Sequence, residues 1–223
     1  MKLKGLDYLD ISSNFSDDEI MIQHSVRDFV DKEVAPIIDE HFKNGTFPHE
    51  LIPQFADMNL LGVNLPEEYN CGGMSHIAYG LVCQELERCD SGIRSFVSVQ
   101  GSLVMFPIYA YGNEDQRKKW LPKLASGEAI GCFGLTEPDY GSNPGDMITT
   151  AKKTDGGYIL NGAKMWITNG TIADIAVVWA KTEDGVVRGF LVEKGMEGFS
   201  APMMKNKWSL RASVTSELIF DNV

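Results

Sequence analysis

Two short segments concentrate the residue types that could bind a ligand or take part in chemistry. The first is Cys132-Phe133-Gly134-Leu135-Thr136-Glu137-Pro138-Asp139-Tyr140-Gly141-Ser142-Asn143-Pro144-Gly145. A strand-like start runs into a loop dense in Gly, Pro and hydroxyls. Exposed backbone N–H groups there can form an anion-binding nest, or the loop is an elaborate turn between strands. The second is Lys164-Met165-Trp166-Ile167-Thr168-Asn169-Gly170. A Trp beside a Thr in a strand reads as core plus edge hydroxyl more often than as a ring-stacking cofactor contact. Arg94 is the third candidate: on spacing alone it is a helix-surface residue paired with Glu87 or Glu85.

Other chemistry lacks its residues. There is no G-x-G-x-x-G, no G-x-x-x-x-G-K-[ST], no G-x-S-x-G and no H-E-x-x-H. His24, His41, His49 and His76 are scattered, as surface or capping residues would be. Cys71, Cys83, Cys89 and Cys132 include no C-x-x-C pair, so free thiols and no metal site are expected.

The elements that must position these segments fall into two kinds. Ser16-Asp17-Asp18-Glu19 spells a capping box, and Ile22, Val26, Phe29, Val30 and Ile37 follow at helical spacing, with Pro36 expected to kink or end the helix. Further helices are expected over 48–61, 75–89 and 93–111, the last apolar nearly all round and so central, and after the cap at Asn113. From about Ala129 the period drops to two. Asp155-Gly156-Gly157 between Thr149–Thr154 and Tyr158–Leu160 predicts a hairpin, and Asn161-Gly162, Asn169-Gly170 and Asp184-Gly185 punctuate further strands. The reading is an α+β chain: an all-α helical bundle over 1–130, then a small antiparallel β-barrel or sandwich over 131–223.

The chain has 223 residues, 43% hydrophobic and 23% charged, which excludes a disordered polar segment. A net charge of −11 argues against nucleic acid or anionic lipid as partner. No apolar run approaches the ~20 residues of a membrane span. The opening Met1-Lys2-Leu3-Lys4-Gly5-Leu6-Asp7 lacks the apolar stretch of a signal peptide, so a cytoplasmic location is expected.

Leu135-Thr136-Glu137-Pro138 followed by Gly141-Ser142, with Trp166-Ile167-Thr168-Asn169 further on, resembles the acyl-CoA dehydrogenase family. Tyr109-Ala110-Tyr111-Gly112 and Gln116 through Leu124 extend the likeness. Gly92-Ile93-Arg94-Ser95, Val99-Gln100 and Ser209-Leu210-Arg211-Ala212-Ser213 are similar to its glutaryl-CoA dehydrogenase branch. The resemblance implies FAD, held between a middle β domain and a C-terminal helical domain, in a homotetramer. It implies that Phe133, Gly134, Leu135, Thr136, Glu137, Pro138, Gly141 and Ser142 line the flavin and its diphosphate, with Trp166 and Ile167 beside the ring and Thr168 near N5. Ser142 would also touch the acyl-CoA. Arg94, with Ser95 and Glu87 in the same network, would face the distal carboxylate of a glutaryl chain. Asn143 stands where the family commonly has Asp.

The reaction so implied is oxidation of glutaryl-CoA to glutaconyl-CoA, with decarboxylation to crotonyl-CoA and electrons passing to an electron-transfer flavoprotein. The family's catalytic base is a Glu of the C-terminal domain, beyond residue 223. The chain is therefore expected to hold no catalytic base, to be inactive alone and to expose a β face. Two other readings stay open at this point: a truncated paralogue that binds acyl-CoA or a partner, and a straight-chain dehydrogenase or acyl-CoA oxidase.

Overall fold

The computed structural model describes residue 7 and residues 9–223. Residues 1–6, on which the expectation about a signal peptide largely rests, lie outside the described residues. Helix α1 (Asp17–Phe29) starts as its sequence demands. Ser16 Oγ accepts from the Glu19 N–H (3.3 Å) and the Glu19 carboxylate accepts from the Ser16 N–H (2.9 Å). Such caps contribute about 1 kcal/mol each. The other Glu19 oxygen accepts from Ser75 Oγ (2.5 Å), and Ser75 in turn caps α4 (His76–Glu87). One buried carboxylate thus joins two helix starts, and the bonds from Ser75 and Ser16 hold it below the usual glutamate range.

Pro36 does not end the first helix. The chain passes through a wide π-type turn (Val30–Val34) into α2 (Ala35–Asn44), which absorbs the bond that the proline nitrogen cannot make. The helix expected over 48–61 is shorter, α3 (Leu51–Asp57), because the chain turns at Asn59 in the left-handed region before Gly62 is reached. The central helix is a rod in three parts: α5 (Ser91–Ser98), a π-type segment (Val99–Met105) and α6 (Phe106–Tyr111). Helix α7 (Glu114–Ala125) opens on a second capping box, Asn113 with Gln116. Val26, Phe55, Leu86, Ile93 and Phe96 share the main helical core.

The second half is one curled seven-stranded sheet: β1 (Gly131–Gly134), β2 (Thr150–Thr154), β3 (Gly157–Thr168), β4 (Ile175–Thr182), β5 (Val187–Glu193), β6 (Phe199–Ser200) and β7 (Thr215–Phe220). The expected antiparallel pairing holds for β2–β3, β4–β5, β3–β7 and β6–β7. The sheet is nonetheless mixed, since β1 and β2 both run parallel to β4. They lie in tandem along one edge of β4, so the segment 135–149 between them must leave the sheet and return. The hairpin at Asp155-Gly156 forms as expected, with Thr154 opposite Gly157. Asn161-Gly162 is no turn: it lies inside β3, where Gly162 has a positive φ and a Cβ would strike Thr149.

The halves are joined at the rod. Gln100, fully buried in the π-type segment, donates to the carbonyls of Leu124 (3.0 Å) and Ala129 (2.9 Å) and accepts from the Gly131 N–H (2.8 Å). Gly131 lies so close to the rod that a Cβ there would run into the Val104 side chain. Asp174 accepts from the Ile130 N–H (3.0 Å) and Asn169 donates to the Gly131 carbonyl (3.3 Å). The start of β1, and with it Phe133 to Thr136, is therefore fixed relative to the helices. Arg211 adds a second clasp, donating to the carbonyls of Phe42 (2.9 Å) and Lys43 (3.0 Å) at the end of α2.

Candidate functional site

A cleft of about 250 Å³ opens where the rod meets the sheet. Its walls are Phe133 of β1 with Leu135 and Thr136 just after it, Trp166, Ile167 and Thr168 at the end of β3, and Val99 and Leu103 from the π-type segment. The widened helix places Val99 and Leu103 against the strand ends while Gln100 faces the opposite way, into the core. The two segments singled out by residue type thus converge on one cleft, although 30 residues separate Thr136 from Trp166.

Trp166 stands in a strained position. The pairing of β3 with β7 shifts register between Lys164 and Ile167, and Trp166 there has φ +63°, in the left-handed region. For a bulky residue this costs roughly 1–2 kcal/mol. The bulge turns the indole out at the cleft, 62% exposed, rather than into the core. Thr136 and Thr168 are half-buried, and neither hydroxyl has a hydrogen-bond partner among the described residues. Apolar walls, an aromatic edge and two uncommitted hydroxyls suit a planar heteroaromatic ring with polar edges.

Not every residue of the loop faces this cleft. Gly134 packs against Leu218, Lys164 and Val178 on the core side. Pro138, Gly141 and Ser142 lie exposed in the excursion that leaves the sheet, where Asn143 donates to Asp146 (2.7 Å). Glu137 is buried beneath the cleft. Its carboxylate accepts from Lys164 Nζ (2.8 Å) and from the N–H groups of Ile148 (2.7 Å) and Thr149 (2.9 Å). Burial opposes its charge, but these bonds outweigh it and hold Glu137 below the usual range, while burial pulls Lys164 down.

Arg94 lies on the exposed side of α5, next to the stripe that lines the cleft. Its Nε donates to Glu87 (2.5 Å) and its Nη1 to Ser98 Oγ (3.3 Å), with the remaining Nη2 unpaired among the described residues. Glu87 accepts from Ser91 as well as Arg94, and both bonds lower its pKa. Glu85, the other partner open on spacing, is instead buried between Arg27 (2.6 Å) and Arg88 (3.2 Å). Ser95, Val99 and Leu103 recur at four-residue steps, so Ser95 continues the stripe that lines the cleft.

Sequence reasoning singled out Arg94 but missed Val99 and Leu103, which look like core residues, and Ser98 and Ser102, which continue the polar row from Arg94. Ser102 accepts from Tyr79 Oη (3.2 Å). Polar residues at four-residue steps on an otherwise apolar helix were the available signal. A larger groove, about 470 Å³, lies between α6 and β4–β5, beside Tyr111, Trp179 and Arg188. Arg188 is already tied to Asp184 through both terminal nitrogens (2.8 Å each), and none of the candidate residues reaches the groove, so volume alone does not mark it as the site.

No helix among the described residues is long and apolar enough to cross a membrane. Residues 16–128 match the family model described as acyl-CoA dehydrogenase, N-terminal domain, and residues 132–223 match that of the middle domain. An acyl-CoA dehydrogenase of Bacillus subtilis is 40% identical over 209 residues, covering 92% of this chain and 55% of the relative. The chain thus spans about half the length of the curated relatives it matches. A glutaryl-CoA dehydrogenase from Mycobacterium smegmatis, solved in complex with FADH2, is 53% identical with a TM-score of 0.94, covering 96% of this chain and 55% of that one. A butyryl-CoA dehydrogenase from Megasphaera elsdenii is 34% identical with a TM-score of 0.88, covering 94% and 57%. With both segments of the cleft inside matched domains, the chain belongs to the acyl-CoA dehydrogenase family.

Proposed function

We propose that this chain forms the flavin cleft and the acyl-recognition face of an FAD-dependent acyl-CoA dehydrogenase acting on glutaryl-CoA. The observation that carries the flavin reading is the convergence of Trp166, held in a strained bulge, with the uncommitted hydroxyls of Thr136 and Thr168. Thr136 is assigned to the pyrimidine edge of the ring, Thr168 to the N5 side, and Trp166 and Ile167 to its flank. Gly141 and Ser142 of the excursion are assigned to the diphosphate, and Ser142 to the acyl-CoA as well. When bound, FAD supplies an acceptor for the hydride lost from the acyl chain. The chain's own part is to orient donors at the ring edges, keep water from one side of the cleft and hold the acyl chain. Glu137 takes no proton in this scheme, because both its oxygens are occupied beneath the cleft.

The glutaryl assignment is supported by Arg94. A guanidinium beside the cleft stripe, with one nitrogen unpaired and Ser95 and Ser98 adjacent, suits a carboxylate at the far end of an acyl chain. The same observation favours a second reading, a straight-chain substrate, if Glu87 keeps Arg94 occupied. Decarboxylation of the product, transfer of electrons to an electron-transfer flavoprotein and a homotetrameric assembly complete the proposal on the likeness of the motifs. The test is binding. FAD titrated into the purified chain should have its fluorescence quenched in a saturable way. Glutaryl-CoA should then bind more tightly than butyryl-CoA, and Arg94→Ala should abolish that preference. A preference for butyryl-CoA in the unaltered chain would establish the second reading.

A further inference from the structure

Lys164 has no role in the site as read so far, yet it is among the most deeply buried side chains of the chain, with 0% of its side chain exposed against 1% for Glu137. Its ammonium reaches the Glu137 carboxylate (2.8 Å), the Leu135 carbonyl (3.1 Å) and Met147 Sδ (3.7 Å). The next residue of β3, Met165, donates its N–H to the Thr136 carbonyl (2.9 Å). Each of the three consecutive residues 135–137 is therefore tied down: Leu135 and Thr136 by their carbonyls, Glu137 by its side chain. The Thr136 side chain is left to face the cleft. Through Ile148 and Thr149 the same carboxylate also closes the base of the excursion 138–147. On the other strand, Lys164 is the last residue in register before the bulge that turns Trp166 outward.

We propose that Lys164 and Glu137 are positioning residues: a buried ion pair that sets where Thr136 and Trp166 stand at the rim of the flavin cleft. A buried pair is poor evidence for stability, since its desolvation offsets much of the attraction. What this pair does supply is direction, because its bonds end on the backbone of the loop and of the returning strand. The proposal rests on the flavin reading above for its consequence, but not for its geometry.

The test compares unaltered chain, Lys164→Met and the doubly altered Glu137→Gln/Lys164→Met, in which no charge is left buried and the Gln carbonyl still accepts from one of the two N–H groups of the returning strand. Melting temperature, FAD affinity by fluorescence, the visible spectrum of bound flavin and amide hydrogen exchange are measured on each. Lys164→Met should lose stability and FAD affinity together. The double variant should regain most of the melting temperature yet bind FAD at least tenfold more weakly, with a shifted flavin spectrum and at least tenfold faster exchange at Met165. Recovery of FAD affinity, spectrum and exchange along with melting temperature would overturn the proposal, for the pair would then only stabilise the fold.

If both variants fail to fold, the unaltered chain decides. The amides of Ile148, Thr149 and Met165 should exchange as slowly as those of the β3–β7 ladder, and exchange at the rate of residues 139–143 overturns the tether. An unaltered chain that takes up no FAD overturns the reading that this chain by itself forms a flavin-binding cleft, while the exchange measurements still judge the positioning role.

Discussion

At the cleft, the groups that set the geometry are themselves out of water. Lys164 and Glu137 are buried to within 1%, and the strained backbone at Trp166 lies in a bulge flanked before and after by paired residues of the β3–β7 ladder. At the Arg94 cluster the reverse holds. Arg94 and Glu87 are 34% and 44% exposed, and their partners are serine hydroxyls and one another. A ring that must meet fixed donors calls for preorganisation, which buried charges on backbone atoms provide. A carboxylate at the end of a flexible chain calls for a charge that can exchange one partner for another at little cost, and an exposed pair of less than about 1 kcal/mol provides that.

The comparison is broken most severely at Lys164. Lys164→Met leaves Glu137 charged and unpaired beneath the cleft, and a loss of about 3–5 kcal/mol is expected in denaturant unfolding. Arg94→Ala should cost less than about 1 kcal/mol of stability by the same measurement. It should nevertheless remove roughly 2 kcal/mol of preference for glutaryl-CoA over butyryl-CoA, read from the two dissociation constants. An Arg94→Ala chain that loses stability as Lys164→Met does would erase the distinction between the two regions.

A subtler probe is Trp166→Gly. Glycine relieves the left-handed strain, so stability should hold or rise by about 1 kcal/mol while FAD binding weakens. A fall in melting temperature would show that the indole packs where its exposure says it does not. The smallest effect expected is in pH. Hydrogen bonds from Ser91 and Arg94 lower the Glu87 pKa, so the stabilisation they give is present at neutral pH and lost only as acid passes below the ordinary glutamate range. The Glu87 carboxyl signal in ¹³C NMR should therefore stay that of a carboxylate as the pH falls through the ordinary glutamate range, and Arg94→Ala should bring its titration back toward the ordinary value.

The helix starts were legible because their determinants are local: Ser16 with Glu19, Ser75, and Asn113 with Gln116 lie within a few residues of what they cap. The Asp155-Gly156 hairpin was legible for the same reason. Parallel pairing of β1 and β2 with β4 was not, because a period of two says which face is buried and nothing about which strand lies beside it. The π-type segment was hidden by a rod that is apolar on most sides. Asn161-Gly162 imitated a turn, whereas Gly162 is needed for the close approach of Thr149. The Thr136 and Trp166 segments were visible by composition. The pair beneath them was not, since Glu137 and Lys164 lie 27 positions apart and a lysine in a strand ordinarily reaches solvent.

The central rod also bears on length. Ser95 and Val99 are one helical turn apart, about 6 Å along the axis, and lie on the stripe that runs from the Arg94 cluster to the cleft. Gln100 bolts this rod to Leu124, Ala129 and Gly131, and Val104 is wedged against Gly131, so the rod cannot slide. Under the proposed reading, an acyl chain anchored at Arg94 is measured off against a ruler of fixed pitch. Each added methylene would carry the reacting carbon past the cleft instead of widening a pocket, and selection by chain length becomes a property of helix rise rather than of cavity size.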